Sequence, residues 1–316
     1  MDHFLQGCKV AVHKKSRLHF HVILGNEACD LDSMISAITL AYFLTKTSSS
    51  KNLVYVPVLN IPQEDFPLRT ECSFFLLENG IAEDHLTFRD QIDLADLYKA
   101  GQLSLTLVDH NVLPRLELFM EEVVTEVIDH HVLERTPSLN CRVTAEMVGS
   151  CATLITEKII QEAPEILDFQ LASLLRGTIV LDCVNMAPVA GKVTPKDTEY
   201  VTILESKFPH LPMRGSVFDL LQKAKFNVSG LTTNQMLRKD LKTLTGHNIS
   251  MAISAVYMHI EEFLQRDCLQ GDLQDFCQNY SYNVIVAMAI SYTATSEPIR
   301  QIAVYCQQED LRNLMI

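Results

Sequence analysis

Carboxylate and imidazole side chains stand at or shortly after the ends of four apolar segments of this sequence. Two carboxylates about 4 Å apart repel each other by roughly 4 kcal/mol at an effective dielectric of 20. A site that gathers several of them therefore needs protons or cations, and carboxylate oxygens with one or two imidazoles suit Mg²⁺ or Mn²⁺. The residues concerned are Asp30 and Asp32 after HVILG, Asp109 after SLTLV, Asp129, His130 and His131 after VVTEVI, and Asp182 after GTIVL.

The segments around these residues predict an α/β fold, a mostly parallel sheet with helices on both faces. Carboxyl ends of parallel strands meet at one edge of a sheet, where ligands bind in a crevice. The four segments would therefore deliver their acids to one crevice. Strands are predicted at 21–24, 53–59, 103–109 and 123–129, helices at 33–45 and 149–161, a helix stop at the glycine of ECSFFLLENG, and either a helix or a strand for GTIVLD.

A break in the pattern at APVAGKVTPKD (187–197) predicts a second, smaller α/β domain. The predicted division is a catalytic domain at 1–190, a connection at 191–214 and a second domain at 215–316. Because the sequence stops within what resembles an unfinished helix after Cys306, we expect an excerpt of a longer protein. In the second domain, helices are predicted at 217–226, 234–244 and 260–268, and strands at 249–258, 282–292 and 300–306.

Simpler roles are open for several of these residues. Asp30 and Asp32 could cap the helix that begins near Ser33, which is worth about 1 kcal/mol. Asp109 and its neighbour His110 could belong to a surface loop. An unpaired carboxylate at Asp182, between Leu181 and Cys183, would cost several kcal/mol, so this residue requires a partner.

Composition narrows the possible functions. Hydrophobic residues make up 47% and charged residues 21% of the 316 residues, which is typical of a soluble globular protein. No signal peptide or membrane span is predicted, so we expect a cytoplasmic location, with the nucleus as an alternative. Nine scattered cysteines without a Cys-x-x-Cys pair predict reduced thiols. A net charge of −13 argues against nucleic-acid or anionic-membrane partners.

The order Asp-x-Asp-Ser, Asp-His, Asp-His-His and a lone Asp resembles the DHH phosphoesterase superfamily, which includes family II inorganic pyrophosphatases and yeast-type exopolyphosphatases. The segments GNEACDLDS, VGSCATLITEKI, LDCVNM and GLTTNQMLRKDLK resemble its animal members in particular. The resemblance covers essentially the whole chain. It implies an N-terminal DHH domain, a C-terminal DHHA2 domain, and a site for two divalent metal ions, Mg²⁺ or Mn²⁺, in the cleft between them.

By motif, the resemblance implies ligands for both ions. Asp30 matches a ligand of the first metal, while Asp32, His130 and Asp182 match ligands of the second. Asp109 matches the carboxylate that bridges the two ions and is the first predicted catalytic residue.

This sequence departs from the pyrophosphatases at one ligand position. Asn26 stands where they have a histidine ligand of the first metal, as in the yeast-type and animal members. An amide oxygen is a weaker ligand than imidazole for transition metals but acceptable to Mg²⁺. We therefore expect a looser first site. His110 is a candidate to compensate, and Cys29 is better explained as a packed small side chain than as a nucleophile.

Substrate phosphate should meet imidazole and cationic groups. His131 matches the phosphate-facing histidine of the pyrophosphatases and is the second predicted catalytic residue. Lys242 and Arg300 match phosphate-binding cations of the second domain. Arg238 lies four residues before Lys242, so both would share one helix face if that segment is helical. A solvated helix face is the alternative for this pair.

The resemblance implies an exopolyphosphatase that releases orthophosphate from short-chain inorganic polyphosphate by two-metal activation of water. Cyclic-nucleotide phosphodiester hydrolysis is the alternative substrate class, although tryptophan is absent and no aromatic platform for a base is evident. A third hypothesis is that the chain is an interaction protein, which works by binding regulatory protein partners. The intact acids of all four motifs favour an active enzyme.

Overall fold

The computed structural model describes residues 1–14, 18–50, 52–136, 138–246, 249–292, 298–308 and 311. The chain divides into two compact units. The first comprises residues 1–66 and 71–224, and the second comprises residues 67–70 and the chain from Lys225 onward.

Within the described residues, the first unit contains a five-stranded sheet in which every pairing is parallel. Its strands are β1 (His19–Leu24), β2 (Leu53–Val58), β3 (Leu103–Val108), β4 (Val124–Asp129) and β5 (Arg142–Ala145). In chain order, its α-helices are α1 (Asp2–His13), α2 (Leu31–Thr47), α3 (Thr70–Glu78), α4 (Leu94–Lys99), α5 (Cys151–Glu162), α6 (Phe169–Asp182), α7 (Pro195–Lys207) and α8 (Arg214–Phe226).

Helices bury both faces of this sheet, which explains its nearly continuous apolar strands. On one face, Ile23, Val108 and Ile128 pack in a core with α2, α5 and α6. On the other face, Val22 and Leu107 belong to a second core that includes residues of α1 and α4. The predicted α/β fold, with a parallel sheet and helices on both faces, is confirmed.

The strand order β2-β1-β3-β4-β5 places β1 beside β3. The sequence continues from β1 to β2 on one side, and the next strand pairs on the other side. Such a reversal of strand order opens a crevice at the carboxyl ends of the two strands, where ligands bind in open α/β sheets. The segments after β1 and β3 carry Asp30, Asp32 and Asp109, so the fold brings these acids to one place.

The second unit is built on a four-stranded mixed sheet in the described part of the chain. Its strands are β6 (Leu241–Gly246), β7 (Ile249–Val256), β8 (Val284–Tyr292) and β9 (Pro298–Cys306), in that spatial order. Strands β7 and β8 are parallel, and the outer pairings are antiparallel. Helices α9 (Thr233–Lys239), α10 (Ile260–Leu264) and α11 (Leu269–Tyr280) contribute Leu237, Phe263 and Phe276 to the core of this unit.

The predicted helix at 234–244 is wrong in its second half. Helix α9 ends at Lys239, and Lys242 lies in β6, where it pairs with Ile253 of β7. Arg238 and Lys242 therefore do not share a helix face. The reason is tertiary, because every residue of the segment LKTLTG pairs with β7 and this pairing overrides local helix propensity.

Residues 191–214, predicted to be a connection, belong to the first compact unit. Most of this segment is helix α7, whose Val201 and Leu204 are buried in the core of that unit. The change of unit falls at Lys225, inside α8, rather than at residue 215. The unfinished helix predicted after Cys306 lies largely outside the described residues.

The cysteines, all of which lie in the described ranges, are free thiols, and eight of the nine are buried. The prediction of reduced cysteines is therefore consistent with the structure. Among the helices of the described residues, none combines the length and the apolarity that a membrane crossing requires.

Candidate metal centre

The loop between β1 and α2 is shaped by a close approach at Gly25. A Cβ at this position would lie 2.1 Å from the hydroxyl of Ser33. That hydroxyl accepts a hydrogen bond of 2.8 Å from the backbone N–H of Asn26. Asp30 caps α2, since its carboxylate accepts from the N–H of Ser33 at 3.1 Å. The capping role considered for Asp30 is confirmed, and it uses one of the two carboxylate oxygens.

Asp32 lies in the first turn of α2 and is buried, but its carboxylate accepts hydrogen bonds from a different helix, α5. It accepts hydrogen bonds from the hydroxyl of Ser150 at 2.9 Å and from the N–H groups of Cys151 and Ala152 at 2.6 and 2.8 Å. These donors form the start of α5, where the positive end of the helix dipole favours an anion. Burial, together with the nearby Asp30, nevertheless holds the pKa of Asp32 above its usual value.

Asp109 follows β3 with a backbone φ of 60°, a left-handed conformation that aspartate tolerates better than most residues. It is 3% exposed. One carboxylate oxygen lies 3.1 Å from Nε2 of His130, and the other accepts from Nδ2 of Asn26 at 2.7 Å. Burial raises the pKa of Asp109 to about 8, and the carboxylates of Asp32 and Asp30 act in the same direction.

His130 is oriented by a backbone carbonyl. Its Nδ1 lies 3.0 Å from the oxygen of Val148, and because a carbonyl only accepts, Nδ1 carries the proton. Nε2 therefore points into the acidic cluster, 3.1 Å from Asp109 and 3.6 Å from Asp32. Burial opposes protonation of this ring, but the hydrogen bond to Asp109 and the charge of Asp32 outweigh it and raise the pKa of His130 to about 10.

His131 is held by the aspartate that opens its motif. Its Nδ1 lies 2.8 Å from a carboxylate oxygen of Asp129, so Nδ1 donates and Nε2 is left for other partners. The side chain of His131 is 56% exposed. Asp129 is fully buried and also accepts from Nδ2 of Asn111 at 2.6 Å. Burial would raise the pKa of Asp129, but these hydrogen bonds lower it below its usual value.

Asp182, the last residue of α6, points its carboxylate toward the same cluster. Its Oδ2 is buried and has no hydrogen-bond partner among the described residues. Burial raises the pKa of Asp182 well above its usual value, and the nearby carboxylates of Asp32 and Asp30 raise it further. An orphaned buried carboxylate oxygen beside two other acids is the environment that a bound cation would stabilise.

The donor set fits a divalent cation. Potential ligand atoms of Asp109, His130 and His131 lie within 4.8 Å of one another. Carboxylate oxygens surround this group, and the oriented Nε2 of His130 follows the pattern in which a second hydrogen bond fixes the tautomer of a metal-binding histidine. These observations support a metal-binding group at the predicted place. The geometry also includes His131 in that group, although the sequence predicted a phosphate-facing role for it.

Asn26 and Cys29 differ from ligands in their contacts. The amide oxygen of Asn26 accepts from the N–H of Cys29 at 2.9 Å, so the group that faces Asp109 is the N–H₂ donor. In this orientation Asn26 positions Asp109, and the predicted weak ligation, which requires the amide oxygen to face the cation, stays a prediction. His110 has the pattern of His130: its Nδ1 lies 2.9 Å from the carbonyl oxygen of Val108, and its buried Nε2 has no hydrogen-bond partner among the described residues, so its predicted compensating role stays a prediction. Cys29 is 1% exposed and packs in the core.

Sequence reasoning missed the residues that support the site. Ser150 and Val148 flank Gly149, whose own N–H donates to buried Asp197 at 2.8 Å. A Cβ at Gly149 would lie 2.4 Å from the sulfur of Cys183. Of these residues, only Asp197 could have been identified from the sequence, because Thr-Pro-Lys-Asp is a helix-capping pattern with proline in the first turn.

The predicted phosphate-binding cations lie in the second unit. Lys242 pairs with Ile253, Ile253 with Val286, and Val286 with Val304. Paired residues share a face of a sheet, and so do residues two and four apart along a strand. Arg300 is four residues before Val304 in β9, so Lys242 and Arg300 lie on the same face. Both are exposed.

Arg238 differs from those two cations. It lies near the end of α9, and its guanidinium carbon is 6.0 Å from the centre of the Tyr280 ring. The neighbouring Met236 and Leu237 pack with Ala252 in the core of the unit. Ala252 is adjacent to Ile253 in β7 and so points to the opposite face from Lys242. Arg238 is therefore on the other side of this sheet.

Comparison with known proteins agrees with this architecture. Residues 21–179 match the N-terminal domain of the DHH family, and residues 219–315 match the DHHA2 domain. The chain belongs to the DHH family.

Among its relatives, the chain is 55% identical over 312 residues to the "Exopolyphosphatase PRUNE1" of Rattus norvegicus, an alignment that covers 99% of this chain and 68% of the rat protein. It is 24% identical over 277 residues to the "Manganese-dependent inorganic pyrophosphatase" of Methanocaldococcus jannaschii, covering 84% and 80% of the two chains. A crystal structure of a Methanococcus jannaschii protein assigned to the family II inorganic pyrophosphatases aligns with a TM-score of 0.54 at 23% identity, covering 92% and 89%, and shows the same fold.

A charge-changing substitution tests the positioning role of Asn26. Asn26→Asp would replace the donor facing Asp109 with a further carboxylate, so we expect a lower melting temperature in EDTA and a larger stabilisation by Mn²⁺ than in the parent protein. Thermal unfolding in both media measures this. Asn79→Asp is the matched control, because its Nδ2 donates to the backbone carbonyl of Phe75 rather than to a carboxylate, so its effect should be the same in both media. Equal shifts for the two variants would contradict the positioning role.

Metal binding should also release protons. The raised pKa values of Asp109 and His130 keep protons in the cluster at pH 7, whereas a cation requires the deprotonated groups. The apparent affinity for Mn²⁺ should therefore increase from pH 6 to pH 8. Calorimetric titration in two buffers of different ionisation enthalpy gives the number of protons released, and His130→Gln should reduce it. A pH-independent affinity would contradict this reading.

Proposed function

We propose that this chain is a metal-dependent exopolyphosphatase that hydrolyses short-chain inorganic polyphosphate and releases orthophosphate from an end. The observation that carries the proposal is the cluster of Asp109, His130 and His131. It lies at the carboxyl ends of the parallel strands, where the reversal of strand order opens a crevice. Similarity to the rat protein, which is named an exopolyphosphatase, supports the substrate class. The chain spans about two thirds of that protein.

Two divalent ions, Mg²⁺ or Mn²⁺, complete the proposed centre. Asp30 and Asp109 would hold the first. Asp32, Asp109, His130 and Asp182 would hold the second, with the buried Oδ2 of Asp182 gaining the partner it lacks in the described chain. When bound, such ions activate water and neutralise charge on the phosphoryl oxygens.

The protein's own groups prepare this chemistry. Val148 fixes the His130 tautomer, so its Nε2 needs no reorientation. Asn26 and His130 hold the two oxygens of Asp109 in place. The contact of His131 with Asp129 uses Nδ1 and not Nε2, and the ring is half-exposed. His131 is therefore our candidate for contact with substrate phosphate.

Lys242 and Arg300 are proposed to bind the phosphates. Their support is chemical, since both are exposed cations on one sheet face of a chain with a net charge of −13. Arg238 is a weaker candidate, because its helix packs on the opposite face of that sheet. The cytoplasmic or nuclear location and the regulatory protein partners stay predictions.

Phosphate release tests the proposed activity. Pyrophosphate, tripolyphosphate, tetrapolyphosphate, long polyphosphate and cyclic AMP are each assayed with Mg²⁺ and with Mn²⁺. We expect the highest kcat/KM for tri- and tetrapolyphosphate. Asp109→Asn should abolish turnover and reduce the metal content of a folded protein, because it removes the proposed bridging carboxylate. A strong preference for pyrophosphate or for cyclic AMP would overturn the proposal.

Kinetics of second-unit variants test the cations separately. Lys242→Ala and Arg300→Ala should each raise KM for tripolyphosphate by roughly tenfold or more while metal content stays normal, since a hydrogen bond to a charged group is worth about 1.5–3 kcal/mol. Arg300→Lys should recover part of the loss, because lysine cannot form a bidentate contact. Lys99→Ala, which removes an exposed cation of α4, is the control. Parent-like kinetics in both alanine variants would remove the second unit from substrate binding.

A further inference from the structure

A separate cavity of about 530 Å³ lies within the first unit, where the end of α6 meets the segment from α7 to α8. This volume is in the range of small-molecule sites. None of the residues that line it belongs to the candidate metal centre. The side chains that matter here are Arg176, Asn185, Glu205, Phe208, Leu211 and Arg214.

Two arginines share one carboxylate in this cavity. Arg214 donates to both oxygens of Glu205, from Nε at 3.1 Å and from an amino group at 2.7 Å. Arg176 donates a single bond of 3.2 Å to the same carboxylate. The group therefore carries one unbalanced positive charge, in a chain whose net charge is −13.

Arg176 is the unusual member, because it is buried with only part of its hydrogen-bonding capacity used. It is 2% exposed, and no described residue accepts a hydrogen bond from its Nε. Burial lowers the pKa of its guanidinium, against the effect of Glu205. A buried cation whose donors are incompletely paired destabilises a fold, and an anion in the adjoining cavity would pair it.

Asn185 is brought to the same cavity by a strained turn. Val184, Asn185 and Met186 all have positive φ values, 49°, 53° and 59°. Such left-handed conformations are unfavourable for residues other than glycine and persist only where the surrounding structure holds them. The Oδ1 of Asn185 is buried without a partner in the described ranges, and its Nδ2 lies near Gly215 in the first turn of α8.

Part of the lining is apolar. Phe208 and Leu211 follow α7 and both pack against the core of the unit. Inorganic phosphate alone would contact the arginines but leave this apolar wall uncovered. A ligand that carries both a phosphate group and an apolar body would use both parts.

We propose that this cavity is a second anion site, which binds a small phosphate monoester with an apolar body. Arg214 and Arg176 would pair with the phosphate, because a guanidinium matches phosphate geometry. The amide of Asn185 would supply a further polar contact. Phe208 and Leu211 would contact the apolar body. The proposal does not depend on hydrolysis at the metal centre.

Calorimetric titration with phenyl phosphate, in EDTA so that divalent ions are absent, tests this site. The parent protein should bind phenyl phosphate more tightly than inorganic phosphate or benzoate. Arg214→Gln should weaken binding by roughly tenfold or more. Glu205→Gln should strengthen it, since the internal carboxylate that competes for both arginines becomes neutral. Asn185→Asp adds a negative charge without changing volume and should abolish binding.

Controls separate this site from other cations and from the metal centre. Arg115→Gln removes one positive charge from an exposed position and should leave the affinity unchanged, as should His131→Ala. Circular dichroism establishes that each variant is folded. Absence of phenyl phosphate binding, equally tight binding of benzoate, or an affinity that none of the three cavity substitutions changes would overturn the proposal. Loss of binding in His131→Ala would place the ligand at the metal centre instead.

Discussion

Repulsion between buried carboxylates is the constraint around which the first unit is organised. Asp32, Asp109 and Asp182 come from three different parts of the chain, and burial raises the pKa of each, with a further increase from nearby carboxylates that include Asp30 in every case. The protein offsets this repulsion with directed donors: the first turn of α5 for Asp32, and His130 and Asn26 for Asp109. Asp182 keeps one buried oxygen without such a donor in the described chain. The compensation is thus incomplete in the way that a cation-binding centre requires.

Much of the first unit could be predicted from sequence, because the two patterns that indicate it, apolar runs and the acids at their ends, are local in the chain. Apolar runs such as 103–109 and 123–129 end in acids, and parallel strands must align their carboxyl ends. The predicted strands correspond to β1–β4, and GTIVLD, left open as helix or strand, is the end of α6. The short edge strand β5 and helix α1 had no comparably clear signal and were not predicted.

The remaining differences between prediction and structure have tertiary causes. Lys242 was placed on a helix because NQMLRKDLKTL has good helix formers, whereas pairing with β7 decides its conformation. The segment 191–214 looked like a connection because of its prolines and glycine, yet α7 buries Val201 and Leu204. Asn26 was predicted as a ligand from its position, but which end of an amide faces a cluster depends on hydrogen bonds that no motif records. The hydroxyl of Ser150 and the carbonyl of Val148 reach Asp32 and His130 only because of where the fold places them, and neither carries a sequence signature.

Gly149 lies between Val148 and Ser150, and it limits which substitutions the metal centre tolerates. Val148 before it orients His130, Ser150 after it holds Asp32, and its own N–H meets Asp197. The Cys183 sulfur and the backbone oxygen of Lys192 would lie only 2.4 and 2.6 Å from a Cβ at this position, so a side chain could be admitted only if these neighbours or the loop moved. Even one added methyl group would have to displace a contact that orients a ligand from another element. The mutational tolerance of this loop is therefore that of a packed core, although its residues contact neither proposed ion.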